Sequence, residues 1–283
     1  MVWAFLLLGA LLVAWVWWYS LSLEVKKLTI PLEGLPPEFV GFRIAHISDL
    51  HGQALSADGV LARAIRAARA DILVITGDFV THGVSETQAF LPFLKALAPE
   101  MPIYAVGGNH DHDAGWEQVG AKLKSVGVNV LDDAHVALNR EEARIYLVGV
   151  RDPFSGRGNL AQAMPPESNG EVCLLLAHSP SYFEAFAKAG RFRAERAIFR
   201  RVALTLCGHT HGGQIKLPLV GAVTNGSRRL FPRDYVEGLS WEGTGWLYIS
   251  RGIGWVILPL RFLSRPEVAI ITLVSRRDGA FAT

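Results

Sequence analysis

Short apolar runs that each end in a polar cluster recur along the chain and restrict its possible folds most strongly. They read as buried strands and cover residues 43–48, 72–76, 103–106, 145–150, 172–177 and 202–207. Stretches with apolar residues at helical spacing lie between several of them, at 57–70, 87–97 and 115–126. Strands that alternate with helices predict a layered α/β fold, and 247–250 and 268–274 add strands without a following helix.

The charge balance excludes some functions. Lys and Arg number 28 against 26 Asp and Glu, so the formal net charge is only +2. A dedicated nucleic-acid binder needs a strong basic surface, and we therefore expect no nucleic-acid partner. A nuclease remains an alternative that would need a concentrated basic groove. The two cysteines, Cys173 and Cys207, lie in apolar runs and read as buried free thiols.

The first 23 residues carry no charged side chain, and as a helix they would span roughly 30 Å of hydrocarbon. Aromatic residues from Trp15 to Tyr19 cluster at the C-terminal end, as at a membrane interface. We expect a single-pass anchor in the inner membrane; a cleaved signal peptide and a buried helix are the alternatives. Lys26 and Lys27 follow directly, which favours a cytoplasmic location for the residues after them. The predicted divisions are an anchor at 1–23, a connector at 24–40 and one large domain at 41–283.

The polar clusters at the strand ends are rich in the side chains that bind metal ions. Ligands of α/β sheets bind where strands end, so five clusters could meet at one site. Carboxylate, imidazole and amide oxygen together suit Mn, Fe or Zn. The candidate residues are Asp49, His51, Asp78, Asn109, His110, Asp111, His178, His209 and His211.

The order of these motifs, DLH, GD, GNHD, a histidine after a buried strand, and GHTH, resembles the calcineurin-like metallophosphoesterase superfamily over about residues 41–275. The tail reads GGQIKLPLVGAV and then YISRGIGWVILPLRFLSRPEVAIITL, which looks like the bacterial membrane-associated branch of YkuE and YaeI type. The resemblance implies a four-layer α/β/β/α sandwich and a hydrolase of phosphoesters or pyrophosphates, with residues 41–283 as its catalytic domain.

The resemblance also implies roles for individual residues. Asp49, His51 and His211 would hold one divalent ion, and Asn109, His178 and His209 would hold the other. Asp78 would bridge them. Mn²⁺ is the expected metal, with Zn²⁺ or Fe as alternatives. His110 would protonate the leaving oxygen, whereas Asp111 is expected to order its turn. A metal-blind scaffold would have lost several of these ligands, and all seven are present.

Two positions depart from the phosphoprotein phosphatase motif GDxxDRG, because this chain has Thr81 and His82 in place of its second Asp and its Arg. The carboxylate that would orient His110 is therefore absent from the motif, and a phosphoprotein phosphatase is disfavoured. Substrate contacts are expected from His82, Arg157 and Arg251 instead. His82 has a second interpretation, as a cap of its turn.

Two segments combine arginines with large apolar side chains. Residues 190–201 place Arg193, Arg196 and Arg200 on one face of a predicted amphipathic helix, which would cover the sheet, lid the site or meet a membrane. Residues 251–265 interleave arginines with large apolar side chains and read as core or as a membrane-facing lip. With the anchor, these segments favour an amphiphilic substrate, such as the UDP-2,3-diacylglucosamine of lipid A synthesis. A general membrane-lipid or small-molecule phosphodiesterase is the alternative.

Overall fold

The computed structural model describes residues 2–155, 158–166, 170–183, 195–224 and 230–276. Its described helices are α1 (Val2–Leu21), α2 (Val60–Ala68), α3 (Leu91–Leu97), α4 (Asn109–Ala114), α5 (Trp116–Ser125), α6 (Leu160–Ala163) and α7 (Glu195–Phe199). Short 3₁₀ turns occur at Pro37–Phe39, Val84–Ala89 and His211–Gly213. The strands are β1 (Glu24–Leu32), β2 (Arg43–Ile47), β3 (Ile72–Thr76), β4 (Ile103–Val106), β5 (Val128–Val130), β6 (Ala134–Arg140), β7 (Ala143–Gly149), β8 (Cys173–Leu176), β9 (Val202–Cys207), β10 (Lys216–Leu217), β11 (Gly221–Ala222), β12 (Gly238–Trp241), β13 (Trp246–Ile249) and β14 (Glu267–Ser275).

Two six-stranded sheets form the centre of the fold. The first has the order β1-β14-β2-β3-β4-β5, and the second has the order β12-β13-β9-β8-β7-β6. Strands β2 to β5 run parallel, as do β7, β8, β9 and β13. This mixed α/β architecture with parallel sheets confirms the predicted fold class.

Three hydrophobic cores fill the spaces between neighbouring layers. Ile44, Val74 and Ile271 of the first sheet share the central core with Leu174 and Leu206 of the second. A second core lies beneath α2, α3 and α5 on the outer face of the first sheet. A third lies on the outer face of the second sheet, beneath α6 and α7. Two sheets between two helical layers give the α/β/β/α order.

Strand β1 lies within the stretch predicted as a connector. Residues Glu24–Leu32 pair in parallel with β14 along nine registered positions and form the edge of the first sheet. Ile30 and Leu32 are buried in the central core, which accounts for the strand. The connector prediction missed it because lysines and Pro31 mask a pattern of alternate burial. The division into anchor, connector and catalytic domain stays a prediction.

Helix α1 bears on the predicted anchor. It runs over Val2–Leu21 and exposes large side chains, among them Trp3, Leu7 and Trp18. In the part of the chain that the structure describes, no helix is both long enough and apolar enough to cross a membrane. The predicted transmembrane anchor at 1–23 is therefore unconfirmed.

The topology determines where α1 lies. Strand β1 begins beside the beginning of β14, because Glu24 pairs with Glu267. Strand β14 is antiparallel to β2, so its beginning lies next to the C-terminal end of β2. Helix α1 therefore leaves the fold at the end where the parallel strands finish and the polar clusters begin.

The basic segment at 190–201 is described only in part. Arg193 and the side chain of Arg196 lie outside the described residues. Phe199 of α7 is buried and packs against Tyr182 and Phe183, with ring centroids 5.3 and 5.2 Å away. Its described apolar face therefore covers the second sheet.

The central core predicts a large effect of truncation. Ile271→Ala should lower the free energy of unfolding by about 2–5 kcal/mol, because this fully buried side chain leaves a cavity between the two sheets. Chemical denaturation of the variant and the parent chain measures the difference. Val40→Ala, at a side chain that is 47% exposed, is the control and should stay within about 0.5 kcal/mol. Equal losses in both variants would contradict the assignment of the core.

Candidate metal centre

The five polar clusters predicted from the sequence lie at one end of the molecule. Each follows a parallel strand: β2 leads to Asp49, β3 to Asp78, β4 to Asn109, β8 to His178 and β9 to His209. The two stacked sheets bring these ends together, as the ends of parallel strands share one edge. The structure therefore gathers all seven predicted ligands, and their role as ligands stays a prediction until the proposal below is tested.

The first group consists of Asp49, His51 and His211, whose ligand atoms lie within 4.8 Å of one another. His51 Nε2 is 3.1 Å from His211 Nε2. Asp49 Oδ1 is 3.4 Å from His211 Nε2 and 3.9 Å from His51 Nε2. Two imidazole nitrogens and one carboxylate oxygen thus face a common point.

The second group consists of Asp78, His178 and His209, with Asn109 beside them. His178 Nε2 is 3.2 Å from Asp78 Oδ2 and 3.2 Å from His209 Nδ1. Asn109 Oδ1 is 2.9 Å from the same His209 nitrogen. The resemblance assigned Asn109, His178 and His209 to one ion, and the structure places these three side chains side by side.

Asp78 connects the two groups. Its Oδ2 lies 3.2 Å from His178 Nε2 in the second group and 3.6 Å from His51 Nε2 in the first. Its Oδ1 accepts a hydrogen bond from the backbone N–H of His110 at 3.0 Å. A Cβ at Gly108 would overlap this carboxylate, so the close approach of the two loops requires glycine there. One carboxylate therefore lies between two clusters of nitrogen ligands.

The backbone at the site is strained. Five of the seven residues have positive φ: Asp49 (54°), His51 (47°), Asp78 (53°), His209 (72°) and His211 (54°). Residues with a Cβ rarely adopt this conformation, and each instance costs on the order of 1–3 kcal/mol. Strain of this kind persists where the surrounding structure enforces it, and it concentrates at functional sites.

Burial controls the charges of the histidines. It lowers the pKa of His51 and of His209 to about 3, and it holds the pKa of His211 well below its ordinary value. Burial also opposes the charged form of His178, but the neighbouring carboxylates, with Asp78 first among them, together outweigh it and raise the pKa of His178. Three imidazoles are thus neutral near pH 7, the form that binds metal ions.

The two aspartates respond differently to the same burial. Desolvation raises the pKa of Asp49 to about 6. It also opposes ionisation of Asp78, but His178, His51 and His110 hold the pKa of Asp78 below its ordinary value. Buried nitrogen and oxygen donors that face one another at these distances fit two divalent cations, each of which would replace a proton between its ligands.

His110 lies beside the first group and is half-buried. Its ring meets the ring of His51 edge-on, with centroids 5.2 Å apart. Its Nδ1 is 3.3 Å from the backbone oxygen of Thr81, which occupies the place of the carboxylate missing from the motif. The hydroxyl of Thr81 contacts His51 Nδ1 at 2.9 Å instead. The substituted position therefore supports both histidines, one through its backbone and one through its side chain.

Asp111 orders the loops, as the sequence predicted. Its carboxylate accepts hydrogen bonds from the backbone N–H groups of Phe79 (2.8 Å), Val80 (3.1 Å) and Gly108 (2.9 Å). These bonds join the loop that carries Asp78 to the loop that carries Asn109. The side chain thus fixes the distance between two predicted ligands.

The three predicted substrate contacts have different surroundings. His82 is exposed, and its backbone N–H donates to Glu86 at 3.0 Å. Arg251 is largely buried, with ion pairs to Glu267 at 2.6 Å and to Glu24 at 3.0 Å. Arg157 lies outside the described residues. A role in substrate binding stays a prediction for all three.

Sequence reasoning missed two residues at the site. Arg261 was grouped with a C-terminal apolar stretch, yet its buried guanidinium lies 3.3 Å from His211 Nδ1 and donates to the backbone oxygens of Arg251 and Gly254. Phe154 is 46% exposed, and its ring centroid is 4.7 Å from that of His209. The only sequence signals were an arginine inside an apolar run and an aromatic residue in the polar segment after β7.

Comparison with known proteins agrees with this geometry. The family model described as calcineurin-like phosphoesterase matches residues 42–213, which hold all seven predicted ligands. The metallophosphoesterase YkuE of Bacillus subtilis (strain 168) is 29% identical over 260 residues, covering 89% of this chain and 86% of the relative. The phosphodiesterase YaeI of Escherichia coli (strain K12) is 32% identical over 241 residues, covering 82% of each. The chain belongs to the calcineurin-like phosphoesterase family.

Proposed function

We propose that this chain uses two divalent metal ions to hydrolyse a phosphodiester or pyrophosphate bond in a lipid-linked substrate at a membrane surface. Family membership gives the general reaction, the metal-dependent hydrolysis of a phosphoester. The observation that carries the proposal is the position of Asp78, whose carboxylate lies between two groups of buried nitrogen ligands.

The chain's own residues would divide the work as follows. Asp49, His51 and His211 would hold one ion, and Asn109, His178 and His209 would hold the other, with Asp78 shared. When bound, such a pair polarises phosphate oxygens and lowers the pKa of water. We propose Mn²⁺, because carboxylate, amide and imidazole ligands form a mixed set without cysteine. Zn²⁺ and Fe suit the imidazoles as well.

His110 would act as general acid. If its Nδ1–H donates to the backbone oxygen of Thr81, Nε2 is the nitrogen left to give a proton to the leaving oxygen. The backbone N–H of the same residue donates to Asp78 Oδ1, which fixes the backbone of His110 relative to both metal groups. A backbone oxygen thereby replaces the carboxylate of related motifs.

The surroundings of the site support a lipid-linked substrate. Helix α1 lies at the same end of the fold as the metal centre and exposes apolar side chains. Trp15 of α1 contacts Phe262 with ring centroids 6.2 Å apart, in the loop that also exposes Ile257 and Leu258. A soluble substrate requires no apolar surface of this kind. Association with the cytoplasmic face of the inner membrane is part of the proposal, supported by Lys26 and Lys27 after α1.

A second candidate substrate is a simple phosphodiester without lipid. The similarity to the phosphodiesterase YaeI favours diester hydrolysis and leaves the lipid part open. A nuclease has less support, because the chain as a whole carries almost no net charge.

Removal of the shared carboxylate tests the metal centre. Asp78→Asn should reduce the bound metal below two ions per chain and abolish turnover of a soluble aryl phosphodiester, because both ions lose one anionic ligand. Elemental analysis and a hydrolysis assay measure the two effects. Asp58→Asn, at an exposed carboxylate, is the matched control and should change neither. Two ions with near-normal turnover in Asp78→Asn would refute the bridging role.

Substitution of the proposed acid tests His110. His110→Ala should keep both ions and lose about 10²-fold or more in rate on an alkyl phosphodiester, the range of general acid catalysis. An activated nitrophenyl diester, whose leaving group needs little protonation, should lose much less. The comparison of the two substrates is the measurement, since equal losses on both would indicate that His110 positions the substrate.

Hydrolysis of a lipid-linked pyrophosphate tests the substrate class. The full chain, loaded with Mn²⁺ in detergent, should release UMP from UDP-2,3-diacylglucosamine faster than from the deacylated compound. Chromatographic measurement of UMP gives both rates. Equal cleavage of the two compounds, or cleavage of neither while simple diesters turn over, would exclude the lipid-linked substrate and leave the second candidate.

A further inference from the structure

An apolar groove of about 260 Å³ lies next to the metal centre. It is formed by the end of α1, the segment after His51, the start of α2 and the loop after β13. The apolar walls come from Leu21, Leu23, Leu55, Val60, Ile253 and Trp255. None of the described residues that line the groove carries a charge. We call this feature the α1 groove.

The α1 groove adjoins the first metal group through the backbone. Gln53 lines it and follows His51 by two residues, a separation of at most about 7 Å along an extended chain. On the opposite wall, Ile253 N–H donates to the backbone oxygen of Ser48 at 2.9 Å. The next N–H in that loop, of Gly254, donates to the backbone oxygen of Asp49 at 2.7 Å. Both walls are thus bonded to, or continuous with, segments that carry predicted ligands.

The hydroxyl group of Ser20, at the end of α1, already has hydrogen-bond partners within the protein. Ser20 Oγ accepts a hydrogen bond from the backbone N–H of Arg261 at 2.9 Å, and the oxygens of Arg261 and Val16 lie 2.9 and 2.8 Å from it. These contacts hold the end of α1 against the loop after β13. The hydroxyl is therefore engaged with backbone groups, and the groove offers mainly apolar surface to a ligand.

We infer that the α1 groove binds one alkyl or acyl chain of the phosphoester substrate while the phosphate lies at the metal centre. This inference rests on the proposed function and deepens it. The volume is below the range of about 300–1,000 Å³ for drug-sized ligands, so the groove suits one hydrocarbon chain and not a whole lipid. Burial of a hydrocarbon chain against apolar walls is favourable in proportion to the area removed from water.

The groove is continuous with the apolar surface of α1, which indicates that the bound hydrocarbon chain belongs to a membrane lipid. Leu21 both ends the helix and lines the groove, and it is 54% exposed. The exposed apolar side chains of α1 continue from this point away from the metal centre. A lipid whose tail lies along the helix would reach the groove without exposing the tail to water.

Alkyl phosphates of different length test the groove. Isothermal titration of the Mn²⁺-loaded full chain with ethyl phosphate and decyl phosphate gives two dissociation constants. A sterol-based detergent is used, because it brings no linear alkyl chain. Each buried methylene can tighten binding by up to about fourfold, the equivalent of about 0.8 kcal/mol. Decyl phosphate should therefore bind at least about 100-fold more tightly than ethyl phosphate.

A charge placed in the wall should remove this preference. Val60 is 60% exposed at the first position of α2, where a carboxylate is tolerated by the helix, so Val60→Asp should fold. The ratio of the two dissociation constants should fall by at least tenfold, and the ethyl compound corrects for repulsion of the phosphate. Val40→Asp makes the same change at the opposite end of the sheet and should leave the ratio unchanged.

A spectroscopic measurement covers the case in which Val60→Asp fails to fold. Decyl phosphate brominated at its terminal carbon should quench tryptophan fluorescence, and Trp255→Phe should remove most of that quenching. Quenching that is unchanged in Trp255→Phe would show that the decyl chain binds outside the α1 groove, and it would overturn the inference.

The outcomes separate the inference from the proposed function. The inference about the α1 groove would be wrong if the two dissociation constants were nearly equal in the parent protein, or if Val60→Asp left a large ratio unchanged. Either result would leave the proposed diester hydrolysis intact. If neither phosphate binds and the loaded protein hydrolyses no soluble diester, the proposed function itself fails.

Discussion

One carboxylate, that of Asp78, lies enclosed between two groups of buried histidines, and the loops around it are arranged to keep it there. Asp78 is almost fully buried and lies 3.2 Å from His178 and 3.6 Å from His51. A buried carboxylate without partners would destabilise the folded state. The histidines around Asp78 stabilise its charged form and hold its pKa below the ordinary value. Two divalent cations would compensate the charges of Asp49 and Asp78, and the donor atoms gathered here fit such a pair.

The backbone around this carboxylate is arranged at the expense of local strain. Positive φ angles at Asp49, His51 and His211 turn each side chain toward the centre directly after a strand or turn. Asp111 joins the loops that carry Asp78 and Asn109 through three backbone hydrogen bonds. Arg261 contacts His211 and donates to a backbone oxygen of the loop after β13, so it links that loop to the segment that carries His211. The two rigid sheets supply the strand ends from which these loops begin. The positions of the predicted ligands are therefore set by loops whose ends cannot move independently.

Much of this was predictable from the sequence, and the exceptions have physical causes. Strand and helix alternation predicted the layered fold, and the resemblance of the ordered motifs to the calcineurin-like family implied the two groups of side chains. The edge strand β1 was missed, because its lysines hide the alternate burial of a strand that completes a sheet through distant β14. Arg261 was missed as a neighbour of His211, because a contact between residues fifty positions apart leaves no local pattern. The orientation of His110 by a backbone oxygen was equally invisible, since every residue has one.

Anomalous X-ray scattering from crystals of the Mn²⁺-loaded protein tests whether two divalent ions share Asp78. Two anomalous peaks are expected, one among Asp49, His51 and His211 and one among Asn109, His178 and His209, with the Asp78 carboxylate between them. A single peak, or peaks away from these side chains, would show that Asp78 does not join two ions.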